Sequence, residues 1–246
     1  MTVEATEPKV IAFVLYPGLT ALDIIGPLQV FRSLQRLDPR FQPVVVGARV
    51  APMDSDTHLR MIPDKSFDEV PQPFAVIVPG GGVPTLAAMA NDAVRDYLHA
   101  TADTAEVIGS IGTGALILAA AGLLKGRQAT TRWAYRGLLE NLGAHYVRQR
   151  WVQDGKFMTA AGISGGIDMA LCLVGKLRGE RSERWAQLLI EYDPHPPFGG
   201  IDWSGISSDA LSPLSAQHQK QLEEALAAHP DLVRAVEDWS SATTAR

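Results

Sequence analysis

The chain predicts an α/β fold with a parallel sheet covered by helices on both faces. Two observations carry this: four short apolar runs that stop at turn residues, and helical patterns lodged between them. Val10 to Tyr16 is nearly continuous in apolar residues and ends at Pro17-Gly18, as a strand buried on both faces does. Similar runs occur at Pro43 to Gly47, Phe74 to Val78 and Val107 to Ile111. Helical patterns fill Ala21 to Leu37, Thr85 to Ala100 and Gly114 to Leu124, which gives the strand–helix alternation of parallel βαβ units.

Beyond Leu124 the pattern changes. Gln128 to Thr131 and Tyr146 to Ala160 read as short strands, with Asp154-Gly155 a two-residue hairpin signal. Helices are expected at about Ser164 to Arg178 and Ser182 to Glu191. Pro194-His195-Pro196-Pro197 excludes a helix, and an amphipathic stretch follows from about Ser215 to Trp239. Residues 1–200 are thus expected to form one domain, with 201–246 a helical extension packed on it or on a second subunit.

Composition narrows the partners. With 46% hydrophobic residues in 246, one continuous core is expected, and a net charge of -5 supplies no basic field for nucleic acid or an anionic membrane surface. The single cysteine, Cys172, lies in an apolar run that reads as a buried helix face, which excludes disulfides within the chain and any site needing two thiolates from it. The six histidines never pair at metal-ligand spacing on one helix, so neither a metal nor another cofactor is expected. G-x-G-x-x-G and G-x-x-x-x-G-K are absent. Met1 to Pro8 lacks a signal-peptide pattern, and no apolar run reaches the ~18 residues of a membrane span, so a cytoplasmic protein is expected.

Ligands of parallel α/β sheets sit where strands hand over to helices. Three such loops stand out here. Pro17 to Asp23 places a carboxylate in the first helical turn, although Thr20-x-x-Asp23 also fits a capping box that would tie Asp23 to its own helix. Pro79-Gly80-Gly81-Gly82 can bring backbone N–H groups close to a ligand or can be only a tight turn. Ser110-Ile111-Gly112-Thr113-Gly114 has the form of a nucleophile elbow, or of close helix–strand packing. Trp133 and Tyr135, after Thr130-Thr131-Arg132, can line a pocket or belong to the core.

Five segments taken together resemble the ThiJ/PfpI superfamily and, within it, the isocyanide hydratases. They are Tyr-Pro-Gly-x-x-x-Leu-Asp-x-x-Gly-Pro at 16–27, Val-Pro-Gly-Gly at 78–81, Gly-x-Leu-x-Leu-Ala-x-Ala-Gly-Leu-Leu at 114–124, Ala-Thr-Thr-x-Trp-Ala-Tyr at 129–135 and Gly-Ile-x-x-Gly-Ile-Asp-x-Ala-Leu at 162–171. The resemblance implies a flavodoxin-like sheet of the kind shared with class I glutamine amidotransferases, a homodimer and a small-molecule substrate. It also implies a cysteine nucleophile at the elbow, where this chain has Gly112, and a histidine before the tryptophan, where it has Arg132.

The catalytic positions the resemblance implies are therefore Asp23, Gly112 in the cysteine's usual place, and Thr113. Gly80, Gly81, Gly82, Thr131, Trp133 and Ser164 are expected to hold substrate or its developing negative charge. Glycine relieves the positive-φ strain of an elbow, about 1–3 kcal/mol for a residue with a side chain, so the exchange need not harm folding. Cys172, two helical turns into another element, is no substitute. Three readings follow: a cysteine-independent lyase or hydratase using Asp23 as general acid/base, an inactive cysteine-to-glycine isocyanide hydratase, and a ligand-binding or regulatory protein. The residues after Gly200 are too few and too acidic for the helix-turn-helix pair of related transcription factors.

Overall fold

A computed structural model describes residues 7–203 and scattered helical positions between 216 and 227. Its first strand, β1 (Lys9–Val14), leads into α1 (Ala21–Leu37) and then β2 (Phe41–Gly47). Three two-residue strands follow: β3 (Met53–Asp54), β4 (Arg60–Met61) and β5 (Lys65–Ser66). The chain continues through β6 (Ala75–Val78), α2 (Pro84–Ala90), α3 (Asp92–Ala102), β7 (Val107–Ile111) and α4 (Gly114–Ala120). It then forms β8 (Gln128–Ala129), α5 (Arg136–Asn141), β9 (His145–Tyr146), β10 (Trp151–Asp154), β11 (Phe157–Ala160), α6 (Gly165–Arg178) and α7 (Glu180–Leu189).

The main sheet has the order β10-β11-β7-β6-β1-β2-β5. All its neighbours are parallel except β10, which pairs antiparallel with β11. Every residue of β6 and β7 is buried, and four of six in β1, as expected for strands covered on both faces. One helical layer is α1, α6 and α7, mutually packed; the other runs α3, α2, α4, α5. This is the mostly parallel α/β architecture that the alternating pattern predicts, with the flavodoxin-like sheet that the resemblance implies.

From β1 the chain steps to β2 on one side and returns to β6 on the other, so the order reverses between β1 and β6. Such a switch point opens a crevice at the carboxyl ends of the strands, and the three unusual loops all leave from there.

Several local expectations shift. The helix expected over Thr85 to Ala100 is two helices, broken at Asn91, whose side chain accepts the Val94 N–H at 3.1 Å and so starts α3. The helix after the elbow stops at Ala120, and Gly122 at φ +73 begins the turn that follows. The hairpin loop is Gly155-Lys156, one residue beyond the expected pair, because Asp154 still pairs with Phe157 in the ladder. Cys172 is half-buried at the edge of the core, not enclosed within it. The extension expected over 201–246 falls, beyond Trp203, almost wholly outside the described residues.

Candidate active site

Asp23 sits on the first turn of α1 and is 1% exposed. The capping-box expectation for it does not hold. Thr20 makes no side-chain bond to the helix start; instead Asp56, from the loop after β3, accepts the Ala21 N–H, while the Thr20 N–H donates to the Gly80 carbonyl at 2.8 Å. Relieved of its own helix, the Asp23 carboxylate reaches across the crevice. Its Oδ2 accepts the Gly80 N–H at 2.8 Å, and its Oδ1 is buried without a hydrogen-bond partner among the described residues.

This setting decides the protonation of Asp23. Burial disfavours its charged form and raises the carboxyl from 3.8 to about 7; the Gly80 N–H opposes the shift, nearby Asp56 adds to it and the Arg132 charge reduces it. A carboxyl half-protonated near neutrality is poised to give and take a proton.

Gly80 permits the contact. A Cβ there would lie 2.7 Å from the Thr113 nitrogen, 2.8 Å from Thr113 Oγ1 and 2.9 Å from Asp23 Oδ2, so no larger residue fits. The elbow itself is Gly112, at φ +54, a conformation that L side chains rarely adopt. A Cβ at Gly112 would meet one atom, Asp23 Oδ2, at 3.2 Å. The acid on the opening helix therefore faces the elbow position directly.

Thr113 is 2% exposed. Its Oγ1 accepts the N–H groups of Gly81 at 3.0 Å and Gly82 at 3.1 Å, and lies 2.7 Å from Thr85 Oγ1. Two accepted amides occupy both lone pairs, so the Thr113 hydroxyl must donate to Thr85. Thr85 is then left to donate toward Tyr16 Oη at 3.4 Å, and Tyr16 donates to the Pro79 carbonyl at 3.0 Å. Neither the Thr113 hydroxyl nor the Gly81 N–H points to a ligand in this arrangement; they hold the glycine run against the elbow.

Thr131 is buried and donates to the Gly112 carbonyl at 2.9 Å, fixing the elbow from the other side. Trp133 and Ser164 do not join Asp23. They line a neighbouring cleft of about 520 Å³, which Thr131 also lines. Arg132 borders this cleft and a second groove of about 440 Å³ beside Gly81 and Gly82. Asp23, Gly80, Gly112, Thr113 and Thr131 are thus brought together, while Trp133 and Ser164 flank them.

Sequence reasoning missed Asp56, Thr85 and Arg132 as parts of the site. Asp56 lies 35 residues from the amide it accepts, in a loop without a motif. Thr85 carries no signal in a segment read only as helix. Arg132 was visible only as a departure from the hydratase pattern.

Residues 9–176 match the DJ-1/PfpI family. The chain is 39% identical over 217 residues to isonitrile hydratase of Pseudomonas putida, spanning 88% of this chain and 91% of that protein. It is 26% identical, over 68% of its length and half of the other's, to an HTH-type transcriptional regulator of Pseudomonas aeruginosa. A THiJ/PfpI family protein of Pseudomonas syringae superposes with a TM-score of 0.78 at 30% identity, covering 96% of this chain and 91% of that one.

Proposed function

Because this chain belongs to the DJ-1/PfpI family, we propose that it is a hydratase-type enzyme that adds water to an isocyanide, with Asp23 as its single acid/base group. One observation carries the reading: a buried carboxyl, held by the Gly80 amide through one oxygen and unpartnered at the other, faces the elbow at Gly112. The likeness to isonitrile hydratase supplies the substrate class, and the glycine supplies the departure.

The chemistry proceeds without a nucleophilic side chain. Protonated Asp23 gives its proton to the terminal isocyanide carbon, forming a nitrilium whose positive charge the new carboxylate stabilises. The oxygen of a water then bonds to that carbon, and Asp23 takes one of the water's protons. The resulting formimidic acid tautomerises to the N-formamide. One water is consumed, and Asp23 ends as it began. Gly80 positions the carboxyl, and Thr113 with Thr131 fixes the backbone around it.

A second reading is favoured by Gly112 itself: it occupies the place where the family resemblance implies a cysteine, so the protein would bind a ligand without turning it over. Incubation with an aliphatic isocyanide, followed by mass spectrometry for the N-formamide, separates the two. Formamide from the parent protein and none from Asp23→Asn supports the acid/base reading. Formamide only after Gly112→Cys supports the ligand-binding one, and undiminished turnover by Asp23→Asn sinks the role given to Asp23. Assembly into a homodimer belongs to the same reading, and sedimentation velocity tests it.

A further inference from the structure

The cleft beside the elbow has a charge unlike that of the rest of the molecule. The chain carries -5 overall, yet Arg132, Arg148 and Arg150 line this cleft and no carboxylate does among the described residues. Arg150 is neutralised from behind, its Nε donating to Asp168 at 2.6 Å. Arg148 donates to the Trp203 carbonyl at 3.0 Å, with its guanidinium 5.5 Å from the Trp203 ring centre. Arg132 also faces Asp23 and the groove that Asp56 and Glu224 line, but within this cleft no described carboxylate stands opposite Arg132 or Arg148.

The flat part of the wall is Trp133, Tyr146 and Trp203, and Thr131, Gln149 and Ser164 add polar groups beside it. At about 520 Å³ the cleft has the size of a small-molecule site. It also touches the elbow, because Thr131 both lines it and bonds the Gly112 carbonyl, and because Arg132 is near enough to Asp23 to bias its protonation.

We propose that this cleft binds the far end of the substrate and selects a carboxylate there, so that the substrate is an isocyanide with an aromatic or cyclic body ending in a carboxylate. Arg132 and Arg148 hold the anion, and the body lies against Trp133 and Trp203. Guanidinium–carboxylate pairing is directional and charge-assisted, which gives selection for the anion over a neutral analogue of the same shape. Only the identity of the reacting group rests on the hydration reading; recognition of the carboxylate does not.

The test uses product analogues, whose binding needs no turnover. Affinities of 4-formamidobenzoate and formanilide are measured by calorimetry on the full chain, with Arg132→Gln, Arg148→Gln and Arg132→Lys beside it. The expected result is about tenfold or greater preference for the carboxylate at low salt, falling several-fold in each glutamine variant and partly retained by the lysine. Equal binding of the two compounds, or a preference that survives both glutamine variants, overturns the proposal. Turnover of 4-isocyanobenzoate against phenyl isocyanide is read separately. Carboxylate preference in binding with no formamide from either compound sinks the hydration reading and supports the cleft assignment. Formamide from both at equal efficiency, with equal binding, does the reverse.

Discussion

Asp56 Oδ1 accepts the Ala21 N–H at 2.9 Å from a distant loop, while the Thr20 N–H, the amide that Asp23 would take in a capping box, donates to the Gly80 carbonyl and so leaves Asp23 to the crevice. Asp56→Ala should lower stability by about 1 kcal/mol, the usual effect of losing an N-terminal cap, read by urea denaturation. Asp56 also raises the Asp23 carboxyl and Arg132 lowers it. Asp56→Asn should therefore move the pH midpoint of turnover downward and Arg132→Gln should move it upward. Shifts in the same direction would contradict the electrostatics described.

Asp23 makes stability depend on pH in an unusual direction. Its carboxyl stands at about 7 in the folded protein against an ordinary 3.8. Between about pH 4 and 7 the folded chain keeps a proton that the unfolded chain has released. The stabilisation from that proton is complete below about pH 4 and is lost as pH rises through about 7, at a slope of up to ~1.4 kcal/mol per pH unit. Asp23→Asn, which cannot titrate, should lose less stability than the parent over that window in denaturation series run at several pH values. Turnover that depends on the protonated acid should likewise decline as pH rises through about 7.

Gly112→Ala places a Cβ at φ +54 and 3.2 Å from Asp23 Oδ2. It should destabilise by about 1–3 kcal/mol and disturb the Asp23 contact to Gly80. A cysteine at this position should show the same loss in a thermal melt, together with a thiol beside the acid. An alanine variant as stable as the parent would mean that the elbow relaxes to another backbone conformation.

Thr113→Ala removes the acceptor shared by the Gly81 and Gly82 amides and the donor to Thr85. A loss of about 1–3 kcal/mol is expected for each buried polar group left unsatisfied, while Thr113→Ser, which keeps the hydroxyl, should recover most of it. The comparison separates the hydroxyl's role from that of the methyl group, and denaturant midpoints report both.

The sheet was legible because its strands are buried on both faces: β6 appears in the sequence as an unbroken apolar run, and β7 as one interrupted only by Gly109 and Ser110, and neither needs partner information. The break at Asn91 was hidden, since apolar spacing continues across it and the cap is a single side-chain bond. Asp23, Gly80 and Gly112 were legible because each marks a local backbone demand at a strand end. Asp56 and Thr85 were not, because their parts depend on long-range register rather than on neighbours in sequence. Gly81 and Thr113 were found as residues, but the sequence does not reveal that the Thr113 hydroxyl accepts the Gly81 and Gly82 amides.

The hydroxyl series running from Thr113 through Thr85 to Tyr16 ends on the Pro79 carbonyl, which has no hydrogen to pass on. Such a series stiffens the crevice but is no conduit to bulk solvent. Among the described residues, the Asp23 carboxyl stands apart from it, bonded to the Gly80 amide alone. A carboxyl so isolated must recover from the reacting molecules whatever hydrogen it surrenders, which suits transformations whose overall acid balance is zero and disfavours those that liberate or consume H⁺ at every cycle.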